Sequence, residues 1–262
     1  MPILKNDGVK KMNSLLRHRL LRYKDFVVNF VTKPSLLSLH KKLYKHLDAQ
    51  SKKYNYFIYS EGYFYQGWNK IGITGCRPTE KRFKAYELPK YISKKARVLD
   101  IGTNCGFFLL HLSRFVRQVE GVEPNPYLIA IANDTKNFLK IKNAKFHKMG
   151  FEDFNPNYKF DAILSFANDE TIDGQTRLKF IEYVNKIHNL LTPDGKLIFE
   201  SQAIDYNDKN FAPKLSILEQ KFKIVHKKRV ESYYPYNIKS RIFLVLEKKS
   251  QDEVFDDLLD EI

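Results

Sequence analysis

The chain has 262 residues, 43% hydrophobic and 14% aromatic, enough to bury the core of one α/β domain with an appendage and too apolar for a disordered tail. Cys76 and Cys105 are the only cysteines, which excludes a disulfide framework and a four-thiolate metal site; no metal is expected, and with no charged-apolar-small leader pattern the expected location is the cytoplasm. The net charge of +15 is polarised: residues 1–55 hold thirteen Lys/Arg against three Asp/Glu, whereas residues 251–262 (QDEVFDDLLDEI) hold six acids and no base.

In chain order, residues 9–50 read as one or two amphipathic helices interrupted at Lys33-Pro34, where proline bars continuation. Their charge suits phosphate groups on a nucleic acid, a sugar nucleotide or an anionic membrane face; a solvated helical face fits the same pattern. Residues 54–68 (YNYFIYSEGYFYQGW) are dense in aromatics, and Gly72, Gly75 and Pro78 then signal irregular structure around a turn. From Arg97 the text becomes regular. ARVLDIG reads as a strand, GFFLLHLSRFV as a helix, QVEGVEP as a strand, PYLIAIANDTKNFL as a helix, AKFHKMG and FDAILSFAN as strands, RLKFIEYVNKIHNLL as a helix and GKLIFESQ as a strand. Strands alternating with helices predict a mostly parallel sheet covered on both faces. FKIVHKKRVESYY and SRIFLVLEKK, joined through Pro235-Tyr236-Asn237, predict a closing antiparallel hairpin, giving seven strands. The division expected is a basic helical and aromatic cap at 1–76, a catalytic domain at 77–250 and an acidic tail at 251–262. That tail spaces Val254, Phe255, Leu258, Leu259 and Ile262 helically, as for docking on the basic region or a neighbouring chain; fraying is the plain alternative. No apolar run approaches the roughly 20 residues that cross a bilayer.

Ligands of such sheets sit outside the carboxyl ends of the strands, so the turn after the first long strand, VLDIGTNCGFF, is the first place to look. Gly102 and Gly106 allow positive φ and close backbone approach, and Asn104 tolerates the same conformation. The spacing fails the G-x-G-x-x-G pattern, and Asp100 would turn a carboxylate toward a pyrophosphate that wants amide donors. A cationic or amine-bearing ligand suits Asp100 better.

DIGTNCG resembles the first motif, D-x-G-x-x-x-G, of the class I S-adenosylmethionine-dependent methyltransferases, and residues 77–249 follow that family's Rossmann-like order through its antiparallel hairpin. The resemblance implies S-adenosylmethionine as cofactor. It implies that Glu123 in VEGVEPN accepts the ribose hydroxyls, that Phe151 in MGFED lies along the adenine and that Glu152 or Asp153 takes the exocyclic amine. LLTPDGKLIFES is the fourth matching motif, and Ser165 at the end of strand four joins the cofactor set. Arg82 shares a helix face with Tyr86 and is expected to clamp the methionine carboxylate.

The acceptor is read from what remains. Ser165-Phe166-Ala167-Asn168 lacks the Asn/Asp-Pro-Pro-aromatic loop of enzymes that methylate exocyclic amines, and no Pro-Cys nucleophile is present. Asn168, Asp169 and Glu170 follow strand four, and Glu200, Ser201 and Gln202 end strand five. Asp169, Glu170 and Glu200 are the candidates for a general base; a carboxylate there also serves simply to orient a substrate. Tyr63, Tyr65, Gln66 and Arg77, with Asn168 and Gln202, are expected to contact the acceptor. The order of Gln-aromatic segment, G-x-R-x-T-x-x-R, DIGxNxGFF and FESQ is similar to bacterial methyltransferases associated with surface polysaccharides and sugar nucleotides. That similarity implies O-methylation of a hydroxyl or phosphate-type group on a saccharide or nucleotide-linked, anionic acceptor. Many members of that group carry a His-His pair after the Asn and a His after FES, where this chain has Asp169-Glu170 and Gln202, a departure that speaks against a histidine-based mechanism. The alternatives are a tRNA or RNA methyltransferase, which the pI of about 9.5 suits, and a non-catalytic scaffold of the same fold.

Overall fold

The computed structural model describes residues 4–53, 62–168, 177–201, 206, 208–233 and 240–250, with residues 4–15 described as backbone only. Asp169, Glu170, Gln202, the Pro235-Tyr236-Asn237 turn, most of the 54–68 aromatic stretch and the acidic 251–262 segment therefore lie outside the described residues.

Two helices open the chain, α1 (Leu4–Thr32) and α2 (Leu37–Lys53). Between them Lys33 adopts φ −145 and ψ 60 ahead of Pro34, as the pre-proline clash demands, and a short 3₁₀ turn over Pro34–Leu36 reverses the chain. The glycine-rich stretch that follows pairs two short parallel strands, β1 (Gln66–Gly67) and β2 (Arg77–Pro78), and leads into α3 (Thr79–Tyr86).

The main sheet has seven strands: β3 (Arg97–Ile101), β4 (Gln118–Val122), β5 (Ala144–His147), β6 (Phe160–Phe166), β7 (Leu191–Glu200), β8 (Phe222–Glu231) and β9 (Ser240–Lys248). Their order is β5-β4-β3-β6-β7-β9-β8, parallel except for β9, which runs antiparallel to both its neighbours. The helices α4 (Phe107–Leu112), α5 (Pro126–Phe138), α6 (Phe180–Leu190) and α7 (Ala212–Lys221) complete the fold. α5 is started by Asn125, whose side chain accepts from the amides of Tyr127 and Leu128, with Pro126 in the first turn where it lacks nothing the helix needs.

Alternation along the strands divides the core into two layers. Val98, Leu164 and Ile198 join α2, α3, α4 and α5 on one face; Leu99, Ile101, Ile163, Leu197 and Phe199 join α6 and α7 on the other. Asp100 and Glu200 consequently face the cap side, and Ser165 faces the α6 side. β7 pairs first at Leu191 with Phe160 and next at Lys196 with Ala162, and a Cβ on Gly195 would stand 2.9 Å from Leu191 Cβ, so Thr192-Pro193-Asp194-Gly195 turns between the two pairings and leads into the length of β7 that runs beside Ala162–Phe166.

Candidate active site

The loop after β3 is bent by left-handed residues at three alternate positions: φ is 64° at Gly102, 58° at Asn104 and 68° at Gly106. A Cβ at Gly102 would stand 2.7 Å from Asn168 Oδ1, and one at Gly106 would stand 2.7 Å from the Phe146 ring, so both positions need glycine for space as well as for φ. Gly106 offers α4 no capping side chain. Gln66 supplies it from β1: its Oε1 accepts from Phe107 N (2.9 Å) and Phe108 N (3.3 Å), and its Nε2 donates to Thr103 O (3.1 Å). At the end of β4, Glu123 Oε2 accepts from Asn104 N (3.1 Å) and Oε1 from Asn125 N (3.0 Å), which ties the two strand ends together. Asn168 Nδ2 donates to Ile101 O (2.6 Å) and fixes the loop after β6 to the same turn.

Asp100 is buried beneath this loop. Burial pushes its carboxyl up to about 7, with the nearby Thr103 side chain and Arg82 guanidinium drawing it back down. Beside it lies a buried charged cluster. Arg77 Nη2 donates to both carboxylate oxygens of Glu200 (2.8 and 3.0 Å), Arg241 Nη1 donates to Glu200 Oε1 (2.8 Å), and the Tyr86 hydroxyl donates to Glu200 Oε2. Burial alone would raise Glu200, but Arg77, Arg82, Arg241 and the Tyr86 hydroxyl hold it down at about 2. Burial alone would lower Arg77, but the charge and hydrogen bond of Glu200, with Tyr65 and Tyr86, together lift it well above its ordinary value. Arg82 is 3% exposed and sits over the rings of Phe108, Phe166 and Tyr86 at 4.9, 5.3 and 5.3 Å. Its only hydrogen bond among the described residues runs from Nε to the Tyr86 hydroxyl (3.0 Å), leaving both terminal nitrogens for a ligand.

The model of the methyltransferase domain matches residues 78–232, more than half of the chain. The chain belongs to the methyltransferase-domain family. No curated protein matches it. Among solved structures it is similar to the N-methyltransferase NodS from Bradyrhizobium japonicum WM9, with a TM-score of 0.52 and 13% identity over 65% of this chain and 96% of that one. The same protein in complex with S-adenosyl-L-homocysteine gives 0.52 and 14%, over 65% and 87%. A putative class I S-adenosylmethionine-dependent methyltransferase from Listeria monocytogenes gives 0.51 and 18%, over 66% and 60%. At such identities the likeness is one of fold.

The methyl donor of this methyltransferase is S-adenosylmethionine. The residues present fit that molecule: a buried carboxyl whose ionised form a positive ligand would favour, a buried guanidinium with two nitrogens to spare, and a left-handed turn at the end of the strand between them. Other expected contacts are placed differently. Gln66 is spent on the Thr103–Phe108 backbone, and Tyr63 lies in the cap, its hydroxyl donating to Thr74 Oγ1 (3.0 Å) and its ring stacked on His18 at 4.5 Å. Ser165 meets the Tyr183 hydroxyl at 2.8 Å on the far face of the sheet, away from Asp100. Arg77 is locked on Glu200, and Tyr65 joins the cluster's edge through Arg77 Nη1 (3.4 Å). A carboxylate between two arginines, held down at about 2, is a poor proton acceptor, so Glu200 does not fit the role of a base. Phe151 is buried edge-on to Tyr183 at 5.3 Å, and Glu152 accepts from the Arg177 amide on the surface beside Asp153. Arg241 and the Tyr86 hydroxyl were not anticipated; the one sign of Arg241 is a lone charge heading the apolar run RIFLVL.

Proposed function

We propose that this methyltransferase methylates an oxygen, a hydroxyl or phosphate-type group, on an anionic saccharide or nucleotide-linked intermediate of surface polysaccharide synthesis. S-adenosylmethionine supplies a methyl group already activated on a sulfonium, so the protein's task is alignment, with a base where a hydroxyl must lose its proton. Asp100 faces the ligand's positive charge, Glu123 takes the ribose hydroxyls, the Gly102–Gly106 backbone admits the nucleoside, and Arg82 pairs with the methionine carboxylate. Glu200 acts at one remove: it holds the Tyr86 hydroxyl, which accepts from Arg82 Nε and fixes the guanidinium plane. Asp169 and Glu170, directly after Asn168, carry the base role.

The observation that supports an oxygen acceptor is the end of β6. No proline pair follows Ser165-Phe166, and the Asn168 amide is engaged with the Ile101 carbonyl instead of being offered to an exocyclic amine. The alternative acceptor, RNA, is favoured by the exposed lysines of α2, namely Lys41, Lys42, Lys45, Lys52 and Lys53. Transfer of a labelled methyl group to a panel of sugar nucleotides, saccharide phosphates and total RNA separates the two. Label on a free sugar nucleotide, little changed by salt, is the expected outcome. Label confined to RNA, with activity falling steeply as salt is added, would establish the alternative.

A further inference from the structure

Helix α1 is docked with its polarity reversed. Its inward face is polar: Asp25 Oδ2 accepts from Thr74 N (2.7 Å) and Oγ1 (2.8 Å), Asn29 Nδ2 donates to Gly72 O (2.7 Å), and Arg22 pairs through both terminal nitrogens with Asp48 (2.6 and 2.9 Å). Its outward face is apolar. Leu16, Leu20, Tyr23, Val27, Phe30 and Val31 are 41–74% exposed and recur at steps of three and four, one continuous stripe over residues 16–31. Phe26 and Val28 are exposed beside them, and burying polar groups while leaving eight large apolar side chains in water is the reverse of what folding alone selects, so the stripe calls for something to cover it.

The flanks of the stripe say what. At 100° per residue Arg17 and Lys24 fall along one side and Arg19 along the other, all exposed, and the exposed positions of the neighbouring α2 include Lys41, Lys42 and Lys45. A second copy of α1 laid on the stripe would set cations against cations at the positions bordering the seam. An anionic bilayer meets both requirements: the apolar stripe enters the acyl boundary while the basic flanks reach the headgroups. No helix among the described residues is long and apolar enough to cross a membrane, so the contact lies on the surface.

We propose that α1 is an interfacial helix that seats the protein on anionic lipid through Leu16, Leu20, Tyr23, Val27, Phe30 and Val31, with Arg17, Arg19 and Lys24 on the headgroups. The test is co-sedimentation of the full chain with phosphatidylcholine vesicles with and without phosphatidylglycerol. Binding is expected only with phosphatidylglycerol, weakening as salt is raised. Leu20→Glu with Val27→Glu, and separately Arg17→Glu with Lys24→Glu, should each weaken it by about tenfold or more. All four side chains are solvent-facing, so unchanged Trp68 fluorescence and an unchanged melt certify the fold. Failure to bind anionic vesicles, or binding that both variants retain, overturns the proposal. So does a dimer in solution that Leu20→Glu with Val27→Glu returns to monomer, which would assign the stripe to a second copy.

Discussion

Asp100 carries a pH dependence whose sign is fixed by its burial. Its folded value of about 7 stands above the ordinary aspartate value near 3.9, so between those limits the ligand-free folded chain holds a proton that the unfolded chain has released. Stability without ligand should therefore decline as pH rises from about 4 to about 7. Cofactor affinity should move the other way, because a sulfonium or ammonium group favours the ionised carboxylate. Calorimetry at successive pH values is expected to show the Kd for S-adenosylmethionine rising about tenfold per unit below 7 and flat above it, and Asp100→Asn should abolish the slope while weakening binding. A second test isolates the proposed clamp. Tyr86→Phe removes the hydroxyl between Glu200 and Arg82 Nε, a loss of about 1–3 kcal/mol in a buried site. Affinity for S-adenosylhomocysteine should fall by about tenfold, whereas methylthioadenosine, which lacks the amino-acid carboxylate, should bind as before; equal losses for both would rule out the clamp. At this scale the sequence discloses groups whose meaning lies in local spacing, such as Asp100, Gly102 and Gly106. It conceals those defined by pairing across the fold: Arg77 and Glu200 are 123 residues apart, and only strand order brings them together.

Among the elements, α4 shows how a short segment from outside the central fold completes it. Six residues cannot sustain a helix alone, its N-cap is a glycine, and the side-chain cap comes from Gln66, 41 residues upstream. Gln66→Leu keeps the volume and removes the hydrogen bonds. A destabilisation of about 1–2 kcal/mol in urea unfolding is expected, together with weaker cofactor binding, because the same amide holds Thr103 and through it the Gly102–Gly106 loop. A variant that loses stability but binds the cofactor at full strength would reduce Gln66 to a simple cap. Elements with strong periodicity, the apolar strands and the 126–138 and 180–190 helices, are legible from residue pattern alone. α7 is not: of its ten residues only Leu218 is fully buried, so no apolar stripe marks it. The start of β7 is hidden for a related reason, since Thr192-Pro193-Asp194-Gly195 carries the residues of a turn and nothing local shows that Leu191, ahead of that turn, already pairs with Phe160.

For the molecule as a whole, the decisive feature is that cap and catalytic fold are not separate cores. Leu39, Leu43 and Leu47 of α2 belong to one continuous cluster with Phe64, Trp68, Val98 and Phe107, and the Trp68 ring packs 6.2 Å from Phe107 beneath the first-motif loop. His46 of α2 reaches Asp134 of α5 at 3.1 Å across the same seam. A boundary drawn at residue 76 from composition thus divides residues that share their burial. Cutting there would bare the apolar surface that holds α4, and the two parts are expected to unfold as one cooperative unit. Trp68, the single tryptophan, reports from the seam itself. Its fluorescence and the far-UV circular dichroism should trace coincident melting curves, and Leu43→Ala, at a fully buried cap position, should lower both midpoints together, at a cost of about 2–5 kcal/mol. Saturating S-adenosylmethionine should raise both midpoints together as well, because a ligand that binds only the folded state stabilises everything that unfolds with it. Curves that separate, with fluorescence changing first, would show that the cap melts off an intact catalytic core and that its contacts to α4 and α5 are dispensable to the site.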